Sequence, residues 1–596
     1  MRSIKVVLAM ALTALFALAL AACGSSGTKL ASNDPFSTGG IQNPKDQPLT
    51  GGKRGGVLNV LNETEFEHID SGLAYYNIDY EVVFATQRPI MVNKPNTYTE
   101  AVPDMAASAP EISPDSKTVT VHLKSGIHFS PPVNREVTSE DVAYAIERGA
   151  NPNVANPYLP TYFKMIEGAP TASGGPMKGI VTPDKHTIVF HLSEPKASLL
   201  VSAFVMPLTA AVPKDYAEKF DKHKPSDYGN YQVATGPYMF KNDKSGKVLG
   251  VGYVPGKSAT LVRNPNWNAA TDVRPAYLDE IRQKTGGSNS VIGRQVLSGT
   301  NVVQNELPAQ ATVKLAYEKY KSQLEISPGS GSHYIAVNNV HGPLANVNLR
   351  KAFWAALDRL ALNRVRGGAL VTTTMTHFIY PGIRGFEESG GAAGPKGPQF
   401  DFNEHPEGDK AIAEKYIKLA GYPSGKYTGG KTLTIVGASN PPAKEDSEIT
   451  DQTLKNLGFA TKLTLVDSAT AYAKYCNVPK EEIDVCPSVG WIADFADAQT
   501  VLNITFNGKS IVSTGNVNWG QTNVPKINAA MTAAELVSGP EPRAKAWAKI
   551  DEELVEDAAA VPFDWDKQAN VEGTTVKGVG DLWDTGEWDY GWTSLK

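Results

Sequence analysis

The chain has 596 residues, 41% of them hydrophobic and 20% charged, with a formal net charge of −5. That balance excludes intrinsic disorder, and the length suits two or three structural domains at about 150 residues each. No Lys/Arg-rich block stands out, which argues against a nucleic-acid partner. The 23 Tyr and nine Trp exceed what a minimal core needs, and such rings either line ligand surfaces or fill a large core.

Arg2 and Lys5 open the chain, residues 6–20 are almost wholly apolar, and Leu20-Ala21-Ala22-Cys23 follows. A basic start, an apolar run and small residues before a cut make a secretory signal peptide. The Leu-Ala-Ala-Cys sequence resembles the lipobox of bacterial lipoproteins. The resemblance implies removal of residues 1–22 and lipid on the Cys23 sulfur. An uncleaved anchor or an ordinary signal peptide is the alternative, but the run is short for a permanent span. Residues 23–52 are rich in Gly, Ser, Thr, Asn and Pro. They cannot bury enough apolar surface to offset ordering, and they read as a flexible tether. Each buried lipid methylene contributes about 0.8 kcal/mol to such an anchor. The body is expected to be extracytoplasmic, lipid-anchored to the outer face of a membrane.

Along the body, a glycine turn at 55–56 precedes a strand-like run. Residues 118–123 and 187–192 alternate with period two and predict strands. Thr138 to Asp141 supplies an N-cap and first-turn acids for a helix over 142–148. Further strands are predicted over 334–338, 432–436 and 462–466, with helices over 349–362, 409–419, 447–457 and 544–556. Strands alternating with helices in the second half argue an α/β architecture. Cys476 and Cys486 stand ten positions apart. In an oxidising compartment they read as a disulfide worth about 2–3 kcal/mol. A metal pair would need further ligands, and the ten His show no such spacing with them.

Several blocks, in order, resemble the large extracytoplasmic solute-binding proteins of ABC importers, in particular the dipeptide/oligopeptide-binding (family 5) branch. They are Pro103-Asp104-Met105-Ala106, the TSEDVAYAIER run ending at Arg148, Ala234-Thr235-Gly236-Pro237-Tyr238 and Arg263-Asn264-Pro265-Asn266-Trp267. Asn338-Asn339 with NLRKAFWAALDR, LAGYP at 419–423 and GWIADFAD at 490–497 complete the set. The resemblance implies a two-lobed, periplasmic-binding-protein-like fold that closes on its ligand. Lobe I is expected over 53–85, 230–330 and 555–596, an extra subdomain over 86–229, and lobe II over 331–554, with hinges near His333-Tyr334 and Val561-Pro562.

The implied function is capture of short peptides for an ABC permease and its ATPase, by a monomer, without catalysis or cofactor. Within Gly490-Trp491-Ile492-Ala493-Asp494, the resemblance sets Asp494 against the peptide α-ammonium. A desolvated carboxylate suits a cation with three donors. Trp491 is expected to pack on the first side chain, and Gly490 to admit ligand backbone. Asp494 as a cap and Trp491 as core is the plain alternative. Ala498 stands where the family commonly has Pro after the second acid, Asp497, which puts the local turn in question. Arg384, Arg366 and His377 are candidates for the ligand carboxylate, and Tyr75 and Tyr76 for the lobe I wall. No nucleophile elbow, HExxH or Walker loop is present. The remaining alternatives are an oligosaccharide, a metal chelate or a sensory lipoprotein using the same fold.

Overall fold

A computed structural model describes residues 50–95, 97–169, 175–578 and 588–596. The signal peptide, Cys23 and most of the tether lie outside the described residues. No helix among those described is long and apolar enough to cross a membrane.

Strand Val57–Asn62 buries every second side chain, as a sheet with one covered face requires. It pairs in parallel with Glu280–Thr285 and Val302–Gln304. Ser258–Arg263 and Tyr238–Phe240 extend this first sheet antiparallel. Leu58, Val60, Leu261 and Ile281 form its core, covered by Trp588 and Tyr590 from the C-terminal return.

A separate antiparallel sheet orders Glu111–Ile112, Thr118–His122, Thr187–His191 and Ile180–Asp184. The period two of the sequence is what its register needs. Val119 and Val121 stand opposite Phe190 and Ile188, and all four are buried in one core. Helix Ser139–Arg148 starts at the expected cap, where Thr138 and Asp141 form a capping box.

The second large sheet has the order Thr372–Thr374, Ala560–Val571, Leu324–Val337, Val485–Ile492, Thr432–Ala438, Ala460–Val466. A disulfide joins Cys476 to Cys486, which lies on the interior strand Val485–Ile492, with Cα atoms 6.2 Å apart. The helix expected over 349–362 is two helices, Val347–Ala356 and Arg359–Arg366. Asp358 leaves the helical region (φ −76°, ψ 88°) and caps the second helix by accepting the Ala361 N–H at 2.8 Å. Fully buried Arg359 then ties that helix to the Met375 carbonyl and to Asn403. The break redirects the chain so that Arg366, at its end, reaches Asp564.

Leu324–Val337 and Ala560–Val571 pair antiparallel from Leu324↔Val571 to Ala336↔Ala560. Leu324, Ile326, Ala569 and Val571 lie in the core beneath helices Asn289–Ser298 and Gln310–Lys319. Tyr334–Val337 and Ala560–Trp565 lie in the core of the second sheet. These strands therefore pass from one lobe to the other, and their register shifts between Pro328 and Ser332 and again between His333 and Tyr334.

A buried ionic junction fixes the small-sheet region to the first sheet. Arg88 Nε meets Asp104 at 2.7 Å, and Arg274 meets Asp104 at 2.6 Å and Asp272 at 2.9 Å. Against a burial that alone would raise it, Arg274 and Arg88 hold the Asp272 carboxyl well below the usual range. Beside the junction the Arg88 N–H donates to Thr235, and a Cβ on Gly236 would lie 2.9 Å from the Thr86 backbone. Replacing Asp104 by Ala leaves two buried guanidinium groups with one carboxylate, Asp272, between them. The expected loss is about 3–5 kcal/mol of unfolding free energy, read by denaturant titration. A loss below about 1 kcal/mol, the scale of an exposed pair, would show that the junction carries little.

Candidate functional site

Asp494 follows strand Val485–Ile492 and is half-buried, facing the small-sheet region across the cleft. The Tyr162 hydroxyl donates to its Oδ2. Burial, and then the Asp494 carboxylate, pushes the Tyr162 phenol well above its usual range, so it remains a donor. Phe495, the next residue, packs edge-on to Tyr162 at 4.8 Å and belongs to the core of the small-sheet region. Lys196 reaches Glu535 at 2.8 Å, and the Ser116 and Ser538 hydroxyls meet at 2.7 Å. The small-sheet region and the region of the second large sheet are thus in contact, and Asp494 lies at their junction.

The facing wall is a row of phenols. Tyr158 stacks on Tyr162 at 6.3 Å and on Tyr75 at 5.4 Å, and Tyr76 stands edge-on to Tyr75 at 5.3 Å. Burial first, then Asp494, raises the Tyr75 phenol. The row is built locally. Buried Asp79 accepts the N–H groups of Glu67 (2.9 Å), His68 (3.2 Å), Tyr75 (3.3 Å) and Tyr76 (3.4 Å), which shapes the loop before helix Asn77–Thr86. Asn156 accepts the Tyr158 and Leu159 N–H groups, both at 3.0 Å, and donates to the Gly72 carbonyl, also at 3.0 Å. Tyr75 and Tyr76 remain among the more exposed large side chains.

The two acids of GWIADFAD have different environments. Arg543 engages Asp497 at 2.6 and 3.1 Å in a buried pair. Ala498 adopts φ −57° ahead of helix Gln499–Phe506, close to the angle of about −65° that a Pro would impose. The turn therefore forms without the ring. The Trp491 indole donates to the Thr500 carbonyl at 2.8 Å, and the Trp491 carbonyl accepts from Tyr380 at 2.9 Å. Gly490 is opposite His333 in the ladder. A Cβ there would lie 2.7 Å from the Ser332 carbonyl oxygen, so the close approach at this glycine is made by the neighbouring strand.

The other expected residues are dispersed. Arg384 pairs with Glu541 at 3.0 Å and lines a different cavity of about 380 Å3, beside Asp497 and Arg543. His377 is fully buried, bonded to Asp551 at 2.7 Å and the Gly391 carbonyl at 3.0 Å, with no access to the cleft. Arg366 is at the crossover strands, 3.0 Å from Asp564 and 3.1 Å from Asp446. Tyr158, Tyr162 and the acids around Arg366 were not anticipated. The available signals were the four-residue spacing of the two tyrosines and the i, i+2 placement of Asp564 and Asp566 on one strand face.

The description "Bacterial extracellular solute-binding proteins, family 5 Middle" matches residues 100–512. The chain is 25% identical over 464 residues to the periplasmic oligopeptide-binding protein OppA of Escherichia coli (strain K12), covering 75% of this chain and 76% of that one. It is 23% identical to the oligopeptide-binding protein OppA of Bacillus subtilis (strain 168), covering 96% of each. Among solved structures, clavulanic acid biosynthesis oligopeptide binding protein 2 superposes with a TM-score of 0.77 at 23% identity, over 91% of this chain and 96% of that one. The fold is that of the two-lobed periplasmic binding proteins.

Tyr162→Phe removes the hydroxyl that meets Asp494 across the cleft while keeping the ring that packs on Phe495. A hydrogen bond to a charged group is worth about 1.5–3 kcal/mol, so the ligand-free protein should shift towards an open form. Small-angle X-ray scattering should show a larger radius of gyration than for the wild type. Identical scattering curves would mean that this bond does not hold the lobes together.

Proposed function

The chain belongs to the bacterial extracellular solute-binding proteins, family 5, and on that premise we propose that it captures short peptides between its lobes and delivers them to an ABC permease with its ATPase. The observation that carries this reading is the position of Asp494. It is an acid at the end of a strand, half-buried at the lobe junction and backed by phenols. A peptide α-ammonium offers three N–H donors to such a carboxylate. Ligand backbone can then run beside Val485–Ile492, which gives affinity without reading side chains. The resemblance to proteins named for oligopeptide binding supports the same ligand class. Closure gains contacts from both lobes, so the ligand shifts the population towards the closed form. Binding without catalysis is consistent with this family. The division into lobe I (53–85, 230–330, 555–596), subdomain (86–229) and lobe II (331–554) belongs to the same proposal. So do the lipid on Cys23 and a monomeric, extracytoplasmic protein on a tether.

Asp494→Ala should weaken binding of a free tripeptide at least about tenfold, the scale of one charge-assisted hydrogen bond. An N-acetylated tripeptide should bind the wild type as weakly as the free peptide binds the variant. Calorimetry with an unchanged melting temperature checks both, and equal affinities would remove Asp494 from the site. Separately, Cys23→Ser should move the protein from the membrane fraction to the soluble fraction; retention in the membrane would point to an uncleaved anchor.

A further inference from the structure

Where the two crossover strands pass between the lobes, a cavity of about 300 Å3 opens, lined among others by Gln310, His333, Arg366, Ile492, Asp564 and Asp566. Gln310 belongs to a helix packed on the first-lobe end of these strands, and Ile492 to the strand that leads to Asp494. Asp494 is two positions beyond Ile492, roughly 7 Å of extended chain. A short peptide held at Asp494 and lying along this strand therefore brings a side chain to the cavity.

The cavity lining sets two acids, Asp564 and Asp566, beside His333 and Arg366, with Asp446 buried behind them. Three carboxylates, Asp446, Asp564 and Asp566, surround one guanidinium. Arg366 gives Nε to Asp564 at 3.0 Å and Nη1 to Asp446 at 3.1 Å, and its Nη2 is 3.9 Å from Asp566. Ser488 donates to the same Asp446 oxygen at 2.9 Å, and His333 Nδ1 is 3.0 Å from Asp566. Asp446 Oδ1 and Asp564 Oδ1 are buried and receive no hydrogen bond from any described residue. Both side chains are fully buried. Lys567 also lines the cavity, with its ammonium donating to the Ala369 carbonyl at 3.0 Å.

We propose that this cavity holds a cationic group of the ligand, an ammonium or a guanidinium, so that the preferred substrates are short peptides carrying a basic side chain near the N-terminus. This rests on the peptide reading of Asp494. The ligand atoms of His333, Asp564 and Asp566 lie within 4.8 Å of one another, close enough for one ammonium to donate to several. Arg366 already shows that the cluster takes a nitrogen cation with directed N–H groups. The Arg366 Nη2 is 2.9 Å from both His333 ring nitrogens, so a ligand cation is met chiefly by the two carboxylates. Burial, and then the Asp566 carboxyl beside it, holds the Asp564 carboxyl well above its usual range against the pull of Arg366.

The test compares Ala-Lys-Ala with Ala-norleucine-Ala, which keeps the alkyl chain and lacks the charge, by calorimetry on the chain from Cys23 onward. The wild type should prefer the lysine peptide at least about tenfold. In Asp566→Asn, a partly exposed position, that ratio should fall to about threefold or less. Equal affinity of the wild type for both peptides overturns the proposal and leaves the Asp494 reading standing, because both peptides still bind. If neither peptide binds, the peptide reading fails, and 1,5-diaminopentane alone decides the cavity. Binding weakened by Asp566→Asn would support the cation site with a free diamine as its source. No diamine binding, or binding of Mn2+ or Ni2+ in its place, would overturn it.

Discussion

The ladder between Leu324–Val337 and Ala560–Val571 is the constraint on which the rest depends. Two paired strands carry the chain from one hydrophobic core into the other. A strand pair is stiff along its length and bends where its hydrogen bonding is interrupted. Here the interruptions fall between Pro328 and Ser332 and between His333 and Tyr334, beside the cavity between the lobes. Gly331 lies in this stretch, and a Cβ there would be 2.6 Å from Asp566 Oδ2. The strands that connect the lobes therefore also supply His333, Asp564 and Asp566 to the cleft, so movement at the crossover and occupancy of the cleft act on the same residues.

For Asp494 to meet anything, its partner wall must be held at a fixed place. That wall is on the small-sheet side, and hydrophobic contact alone specifies orientation weakly. Buried ion pairs supply the direction. Arg88, Asp104, Asp272 and Arg274 form one junction, and Arg148 forms another with Asp70 at 2.6 Å and Asp221 at 2.8 Å. Such pairs add little net stability over an apolar replacement, yet each is costly to break. Their geometry sets the Tyr75–Tyr158–Tyr162 row against the region of the second large sheet.

Much of this architecture was legible in the sequence, for reasons that differ by element. Residues 118–123 and 187–192 alternate because one face is covered, and periodicity reports that directly. The cap at Thr138 is local chemistry and was read correctly. The break at Asp358 was not, because helical propensity runs through it and the deciding contacts of Arg359 are tertiary. The resembling blocks are largely structural junctions. Asp104, Gly236 and Arg350 are buried among partners distant in sequence, with Arg350 bonded to the Ala558 and Leu344 carbonyls and to Asp557. Such blocks identify the fold more surely than they identify the ligand. Asp494 was legible only through its place among them. Tyr162 and Asp564 meet Asp494 and Arg366 from segments far apart in the chain, and no spacing connects them.

The contrast between Asp494 and Asp497 shows how three residues of separation divide structure from function. Asp497 faces Arg543 and also accepts the Gln499 N–H at 2.9 Å, so its charge is spent within lobe II. Asp494 meets a neutral phenol across the cleft. A phenol offers one donor, whereas a carboxylate accepts several hydrogen bonds. On the proposed reading, a ligand ammonium with three donors joins or displaces the phenol at this acid. The same logic applies at the crossover, where three acids share one guanidinium. On the proposed reading, a cation supplied by the ligand joins the acids in both places when the lobes close. On that reading the cleft selects its ligand first by charge and hydrogen-bond donors, and only afterwards by shape.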